Sequence, residues 1–501
     1  MAIVGLGAST VPEYNEDTGR YDNASIAAWL AKMRDGKPYG ASVPKGSSTA
    51  CTKTGANTGI ANPVPGVIGR PAVDPYVGLG AFFHIDVNGG ADPDGTPYVT
   101  AIDGDGRFSR YENTFVLAPT LYVLETEADA AVDATISDTR LPGMKLQPGA
   151  LLPNGAKRPY MLYPKYGLSV DDGGGPRSVS GAVVKTRSVS HDSGVSLAST
   201  ASTGYSLKST ADDWYVKTMF LIKYATKNSQ SVFAGCTGYD VVAAPTLAES
   251  NTTRVVVAKA KADQILVGSA MMLGTHTGTS ADRGASYNYD VFDGAKVLKK
   301  VAVDDSNVAI YFAVAKPFST ATTYQLATAP WNTGACDMVE GDGSPTSCTD
   351  GKQPFSIQGI ELGLGVYEVL GNVLLSSTGS GWTVFVNPDT KNEKAGSIPE
   401  GALAFPGQAG EGWSYGLYPK TVHGLMMQQG TGASTSTGVC DGNYKNADTV
   451  VGLREWRSLG DLGDGGNAGL WCVVGANGSG DAGWNFGSRL SVTGRSRGEA
   501  A

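Results

Sequence analysis

Glycine occurs 68 times in this chain of 501 residues, about twice the usual share of roughly 7%. The glycines follow no period, which excludes a collagen-like repeat. They mix with Ser, Thr and Asp, and that mixture predicts many short strands joined by tight turns. Hydrophobic residues make up 41% of the chain, enough for sizeable cores. Charged residues make up only 17%, against about 25% in ordinary soluble domains. A single core rarely grows past about 250–300 residues, so two to four domains are expected.

The formal net charge is −8, and lysine and arginine form no cluster. Surfaces that track phosphates need concentrated positive charge, so nucleic acid is not an expected partner. Arg489, Arg495 and Arg497 are too sparse to alter that. The start, MAIVGLGAST, has no basic region and its apolar run is broken by glycine, so no signal peptide is expected. No stretch approaches the ~18–20 apolar residues that span a bilayer, so membrane insertion is not expected either. The chain reads as one made soluble in the cytoplasm. Its six cysteines form no C-x-x-C pair, which argues against a zinc or thioredoxin-like site. Reduced buried thiols are the expectation, with Cys336–Cys348 or Cys440–Cys472 as alternatives that could close later.

One helix is legible near the start. Asp22 or Asn23 can cap it, Ile26, Trp29, Leu30 and Met33 share a face, and Gly36 follows its end. The region from about 40 to 100 reads as irregular. Thr114–Leu117 and Leu121–Glu125 read as strands, and 178–210 as extended structure or a linker. A second helix is expected over Trp214–Ala225, begun by a capping box of Ser209 and Asp212. It is so apolar that most of its circumference should be buried. Arg254–Lys261, Gln264–Val267, Val297–Val303 and Asn307–Val314 are rich in β-branched residues, and Asp304, Asp305 and Ser306 link the last two as a hairpin. The expected fold class is therefore α+β, mostly strand and loop. Three regions are expected: 1–110 for oligomerisation and attachment, 111–205 as a β-rich linker or small β domain, and 206–501 as a third domain with a β insertion over about 250–330.

Most catalytic motifs fail. Gly5-Leu6-Gly7 lacks the third glycine and the helix of a dinucleotide site, and no Walker, zincin or nucleophile-elbow motif is present. Asp103 with Asp105, and Asp86 with Asn88, Asp92 and Asp94, resemble calcium loops. Their twelfth positions are Thr114 and Pro97, not the bidentate glutamate required. Hairpin turns explain both. The histidines His84, His191, His276 and His423 are isolated in sequence, and no nucleophile has a local activating signature. The chain is not expected to be an enzyme, and no cofactor or metal is expected. A glycan-active enzyme would need paired carboxylates. Glu361 and Glu368 read as holders of structural hydrogen bonds instead.

The C-terminal half carries a resemblance. Gly365 to Val373 (GVYEVLGNV) resembles the "GLYEMLGNVWEW" segment of formylglycine-generating enzymes and their relatives. Leu453 to Trp456 (LREW) and Gly483 to Leu490 (GWNFGSRL) resemble the closing strands of that fold. Trp214 to Cys236 resembles the helix that opens the domain in phage proteins. In order and spacing, these segments are most similar to the variable proteins of diversity-generating retroelements, such as phage tropism determinants. The resemblance implies a C-type-lectin-like domain over residues 206–498. The oxidase chemistry of the enzymes is not implied, because their close-set copper-binding cysteine pair is missing.

As implied by that resemblance, the protein is a phage virion receptor-binding protein whose partners are a host-cell surface receptor, protein or glycan, and other virion structural proteins. A homotrimer is the implied assembly. A structural fibre or decoration protein of the same fold is the runner-up. The variable segment should lie over 453–497. Its fixed-looking positions are Trp456, Gly466, Ala468, Gly469, Leu470, Cys472, Gly487, Arg489 and Leu490. The interleaved candidate receptor contacts are Asp461, Asp464, Asn467, Val474, Asn477, Ser479, Asp481, Trp484, Asn485 and Phe486. Glycines between them allow tight turns, and the aromatic and small polar residues match the mix that serves antibody loops. Trp456 and Trp471 are expected in the core, while Trp484 and Phe486 are either contacts or part of a half-buried strand.

Overall fold

In a computed structural model, the protein is described over residues 11–276, 283–377, 382–406, 412–414, 416–430, 432–444 and 451–497. The Gly5-Leu6-Gly7 segment lies outside these residues. The fold is mostly β, as the glycine-punctuated sequence predicts, with four α-helices among the described residues.

The first helix, α1 (Asn23–Ala31), is capped by Asp22, whose side chain accepts from the Ser25 backbone N–H. It buries Ile26, Trp29 and Leu30, the face read from their spacing. The central helix, α3 (Thr210–Tyr224), starts with the expected reciprocal box of Ser209 and Asp212. Every one of its residues is buried. Tyr215 stacks on Tyr163 with centroids 4.0 Å apart, and Phe220 meets Trp471 edge-on.

α3 is enclosed because two N-terminal sheets pack over it. A five-stranded sheet runs in the order Lys145–Leu146, Tyr122–Glu127, Ala131–Ser137, Tyr39–Pro44 and Thr52–Gly55. A four-stranded sheet runs Met161–Pro164, Thr114–Ala118, Ile85–Ala91 and Pro97–Ile102. Both sheets join strands from either side of residue 110, so the boundary expected there does not exist. One core holds Tyr39, Val116, Tyr163, Trp214, Phe220 and Trp471 together. Residues 111–205 are thus part of that packing and not a linker. The 40–100 region, read as irregular, supplies four of these strands. Asp86 and Asn88 sit within one of them, whereas Asp92–Gly95 and Asp103–Gly106 do form turns.

Two further readings are corrected. The 178–210 stretch contains α2 (His191–Ala201), begun by a capping box of Ser190 and Ser193. Its Ser, Thr and Gly content hid it, because packing of Gly194 and Ala198 against the core overrides weak helix propensity. Gln264–Val267 forms turns, and Lys259–Ala262 is a short helix, α4, following the strand Arg254–Ala258.

Strands of the 250–330 region form a six-stranded sheet whose core is shared with Val184, Cys236, Leu364, Val366 and Leu462 from outside it. Its six strands run in the order Val242–Ala243, Gln325–Ala329, Ala270–Gly274, Phe292–Ala302, Asn307–Phe312 and Arg254–Ala258. Asp304 Oδ1 accepts from the Ser306 and Asn307 backbone N–H groups and closes the expected hairpin. All six cysteines are free thiols.

An eight-stranded sheet positions the site. It runs Leu403–Pro406, Trp382–Val386, Tyr367–Ser377, Gly452–Leu459, Gly469–Val474, Gly442–Tyr444 and Gly412–Trp413, with Phe486–Gly487 parallel to the start of the Tyr367 strand. A buried ion network locks α3 to it. Lys208 Nζ lies 2.8 Å from Asp213 and 3.0 Å from Glu368, and Arg489 Nη2 lies 2.6 Å from Glu368. Burial opposes charge on Glu368, yet Arg489 and Lys208 hold its carboxyl below the usual range. Glu361 accepts the Gly334 and Cys336 backbone N–H groups. Both glutamates therefore hold structural contacts, as read.

Candidate receptor-binding site

Side chains alternate across the strand Gly452–Leu459. Trp456, fully buried, packs with Leu370, Val373, Leu375 and Trp382 on one face. Glu455 and Arg457 consequently point to the other face, toward the loops that follow the strand. The register sets Arg457 opposite Val369 on one side and Val474 on the other, and Val474 pairs in parallel with Tyr444. Tyr367 pairs with Phe486.

Arg457 is the hub of this end of the sheet. Its guanidinium carbon lies 4.0 Å from the Phe486 ring centroid and 4.8 Å from that of Tyr367. Nη2 donates to Asn477 Oδ1, and Nε lies 3.5 Å from Glu455 Oε1. Burial lowers the Arg457 pKa, while Glu455 and Tyr367 oppose the shift. Tyr367 and Phe486 meet edge-on at 6.4 Å, in a small core with Cys472 and Val474.

The polar candidates ring this stack. Asp464 accepts the Asp461 backbone N–H at 2.8 Å, and Asp461 accepts from Asn485 Nδ2 at 2.5 Å. The Asn485 carbonyl accepts the Tyr367 N–H. Burial raises the Asp464 carboxyl pKa, with the Asp461 charge adding to it. Asn467 abuts Gly442, where an added Cβ would meet Asn467 at 3.1 Å and Tyr444 at 2.8 Å.

The ten sequence-read positions thus divide. Asp461, Asp464, Asn467, Asn477 and Asn485 are half-buried and are gathered around Arg457, Tyr367 and Tyr444. Asp481 is exposed on the adjoining loop, where it accepts the Gly478 N–H. Val474, Ser479 and Phe486 are buried, so they support the surface and do not face solvent. Phe486 is buried because its strand pairs with Tyr367, and Val474 because it is wedged between Arg457 and Tyr444. Ser479 turns inward to bond Asp192. Trp484 turns aside, half-buried against the insertion core with Arg283 5.2 Å over its ring.

Sequence reasoning missed Arg457, Tyr367 and Tyr444. The first had a signal: once Trp456 is assigned to the core, period-two alternation sends Arg457 to the opposite face. Tyr367 and Tyr444 reach the site through non-local strand pairing and had none. No family model matches the chain, and neither does any curated protein.

Proposed function

We propose that this protein is a phage virion receptor-binding protein, and that residues 206–498 form a C-type-lectin-like domain whose strand ends carry the receptor contacts. One observation carries the reading. Five half-exposed polar side chains, Asp461, Asp464, Asn467, Asn477 and Asn485, stand around a buried Arg457, Phe486 and Tyr367 stack. Such an arrangement lets contact residues change while the platform beneath them stays rigid. The contact chemistry is amide and carboxylate, which suits a hydrogen-bonding target, protein or glycan, on the host-cell surface. In a homotrimer mounted on a particle, repeated weak sites gain avidity of ~10²–10⁴ without new contacts.

The test is attachment of labelled protein to a panel of bacterial cells. Replacing Asn467, Asn477, Asp481 and Asn485 together with alanine should abolish attachment while shifting the melting temperature by only a few degrees. Unchanged attachment to a cell that binds the parent protein would overturn the site. A parent protein that binds no cell, yet decorates particles stoichiometrically, would favour the structural fibre reading.

A further inference from the structure

The N-terminus of α2 meets the binding segment at a buried ionic junction. The His191 side chain is only 1% exposed, with Nδ1 3.1 Å from Asp192 Oδ1 and Nε2 3.5 Å from Glu393 Oε2. Its backbone N–H donates to Glu455 Oε2 at 2.8 Å. Among the described residues, neither Nε2 nor the facing Glu393 oxygen has a hydrogen-bond partner. A neutral imidazole carries one N–H and one lone pair. Facing a carboxylate on both sides, it leaves a lone pair against an oxygen unless a second proton is present, on the ring or on Glu393. That conflict is costly here, because burial shields both atoms from bulk solvent.

The same residues hold the loop that follows the Gly469–Val474 strand. Asp192 Oδ2 accepts from Ser479 Oγ at 3.2 Å and from the Gly396 N–H at 3.0 Å. The Asp192 N–H donates to the Ser479 carbonyl at 3.0 Å, and the Glu455 N–H donates to the Asn477 carbonyl at 3.1 Å. Arg454 Nη1 adds a bond to the Ala476 carbonyl at 2.9 Å. Loosening the junction therefore loosens residues 476–481.

We propose that His191, Asp192 and Glu393 form a proton-loaded latch that clamps the 476–481 loop and releases it as pH rises. Its relevance to receptor contact rests on the function proposed above; its geometry does not. The groups that face it are Asp192 on α2 itself, Glu393 after the short Thr390–Asn392 turn, Glu455 and Arg457 on the central strand, and Asp481 on the loop. Burial pushes the Glu393 carboxyl up to about 6, against the pull of His191 and the Asn387 amide. Burial pushes Glu455 up to about 8, against Arg457. The bond from His191 holds Asp192 below its usual range. A carboxyl raised in the folded state binds its proton more tightly there than in the open state. Its contribution is full below the ordinary carboxylate range and is lost as pH rises through about 6 and then about 8. Asp192 acts oppositely, and its contribution is lost only in strong acid. The latch is thus closed in mild acid and open in mild alkali.

Hydrogen exchange of the full-length protein tests this, read on peptides spanning 476–482 and corrected for intrinsic exchange rates. Between pH 4.5 and pH 7, which spans the Glu393 transition, protection of that loop should fall by roughly tenfold or more relative to α3. His191→Gln and the isosteric Glu393→Gln should each narrow the difference severalfold, with the Glu455 share remaining. Equal protection at both pH values, or the parent's pH dependence persisting in a folded Glu393→Gln variant, would overturn the latch. Neither result bears on the cell-attachment assay, so failure of the latch and failure of the proposed function are separable.

Discussion

The Arg457 guanidinium lies over the Phe486 ring, 4.0 Å from its centroid, although 28 residues of glycine-rich chain separate them. Phe486 is 6% exposed, so the ring serves as the floor of the site and not as a contact. Phe486→Ala should then destabilise the fold by about 3–5 kcal/mol, the range for deleting a buried phenylalanine, including the lost cation–π contact. Chemical denaturation checks this. A change within ~0.5 kcal/mol, as at an ordinary surface position, would show that the ring is not structural.

Gly487 is buried beside Phe486, and a Cβ placed on it would approach Val366 Cγ2 to 3.1 Å. A valine adds two further methyl groups at that point. Gly487→Val should cost about 1–3 kcal/mol through overpacking, with a lower melting temperature as the readout. Gly487→Ala should cost less, since only the Val366 methyl must give way.

Ser209 caps α3 by accepting from the Ala211 and Asp212 backbone N–H groups, and its hydroxyl lies 2.6 Å from Thr493 Oγ1. Ser209→Ala removes the cap and leaves buried donors unmatched, so a loss of about 1–2 kcal/mol is expected. Because α3 is enclosed by both halves of the chain, the whole unfolding transition should shift as one. An early separate transition of the N-terminal residues would contradict the shared core.

Asp441 predicts an alkaline loss of stability. Burial pushes its carboxyl up to about 8, even though Oδ2 accepts the Trp471 N–H at 2.8 Å and the Ser229 hydroxyl at 2.9 Å. The folded state therefore binds this proton more tightly than the unfolded chain does. Its stabilisation is full below pH ~4 and is lost as pH climbs through about 8. Melting temperature should fall between pH 6 and pH 9, and Asp441→Asn should narrow that fall. An equal fall in the variant would assign the effect to other groups.

Local chemistry made part of this protein legible from sequence alone. Asp22 and the Ile26, Trp29 and Leu30 face define α1, the Ser209–Asp212 box and an apolar run define α3, and Asp304 closes its hairpin. Trp456 and Trp471 were readable as core because large indoles beside glycine-rich loops are rarely left in water. Each of these signals acts within a few residues along the chain. What only the tertiary structure decided is long-range. α2 forms because the core accepts Gly194 and Ala198, against a composition that favours loop. The N-terminal sheets close over α3, erasing a boundary that composition suggested near 110. Of the ten candidate contacts, pairing with Tyr367, Arg457 and Tyr444 decided which face solvent and which become the floor. Alternation tells which residues share a face, but the identity of the neighbouring strand decides whether that face is covered.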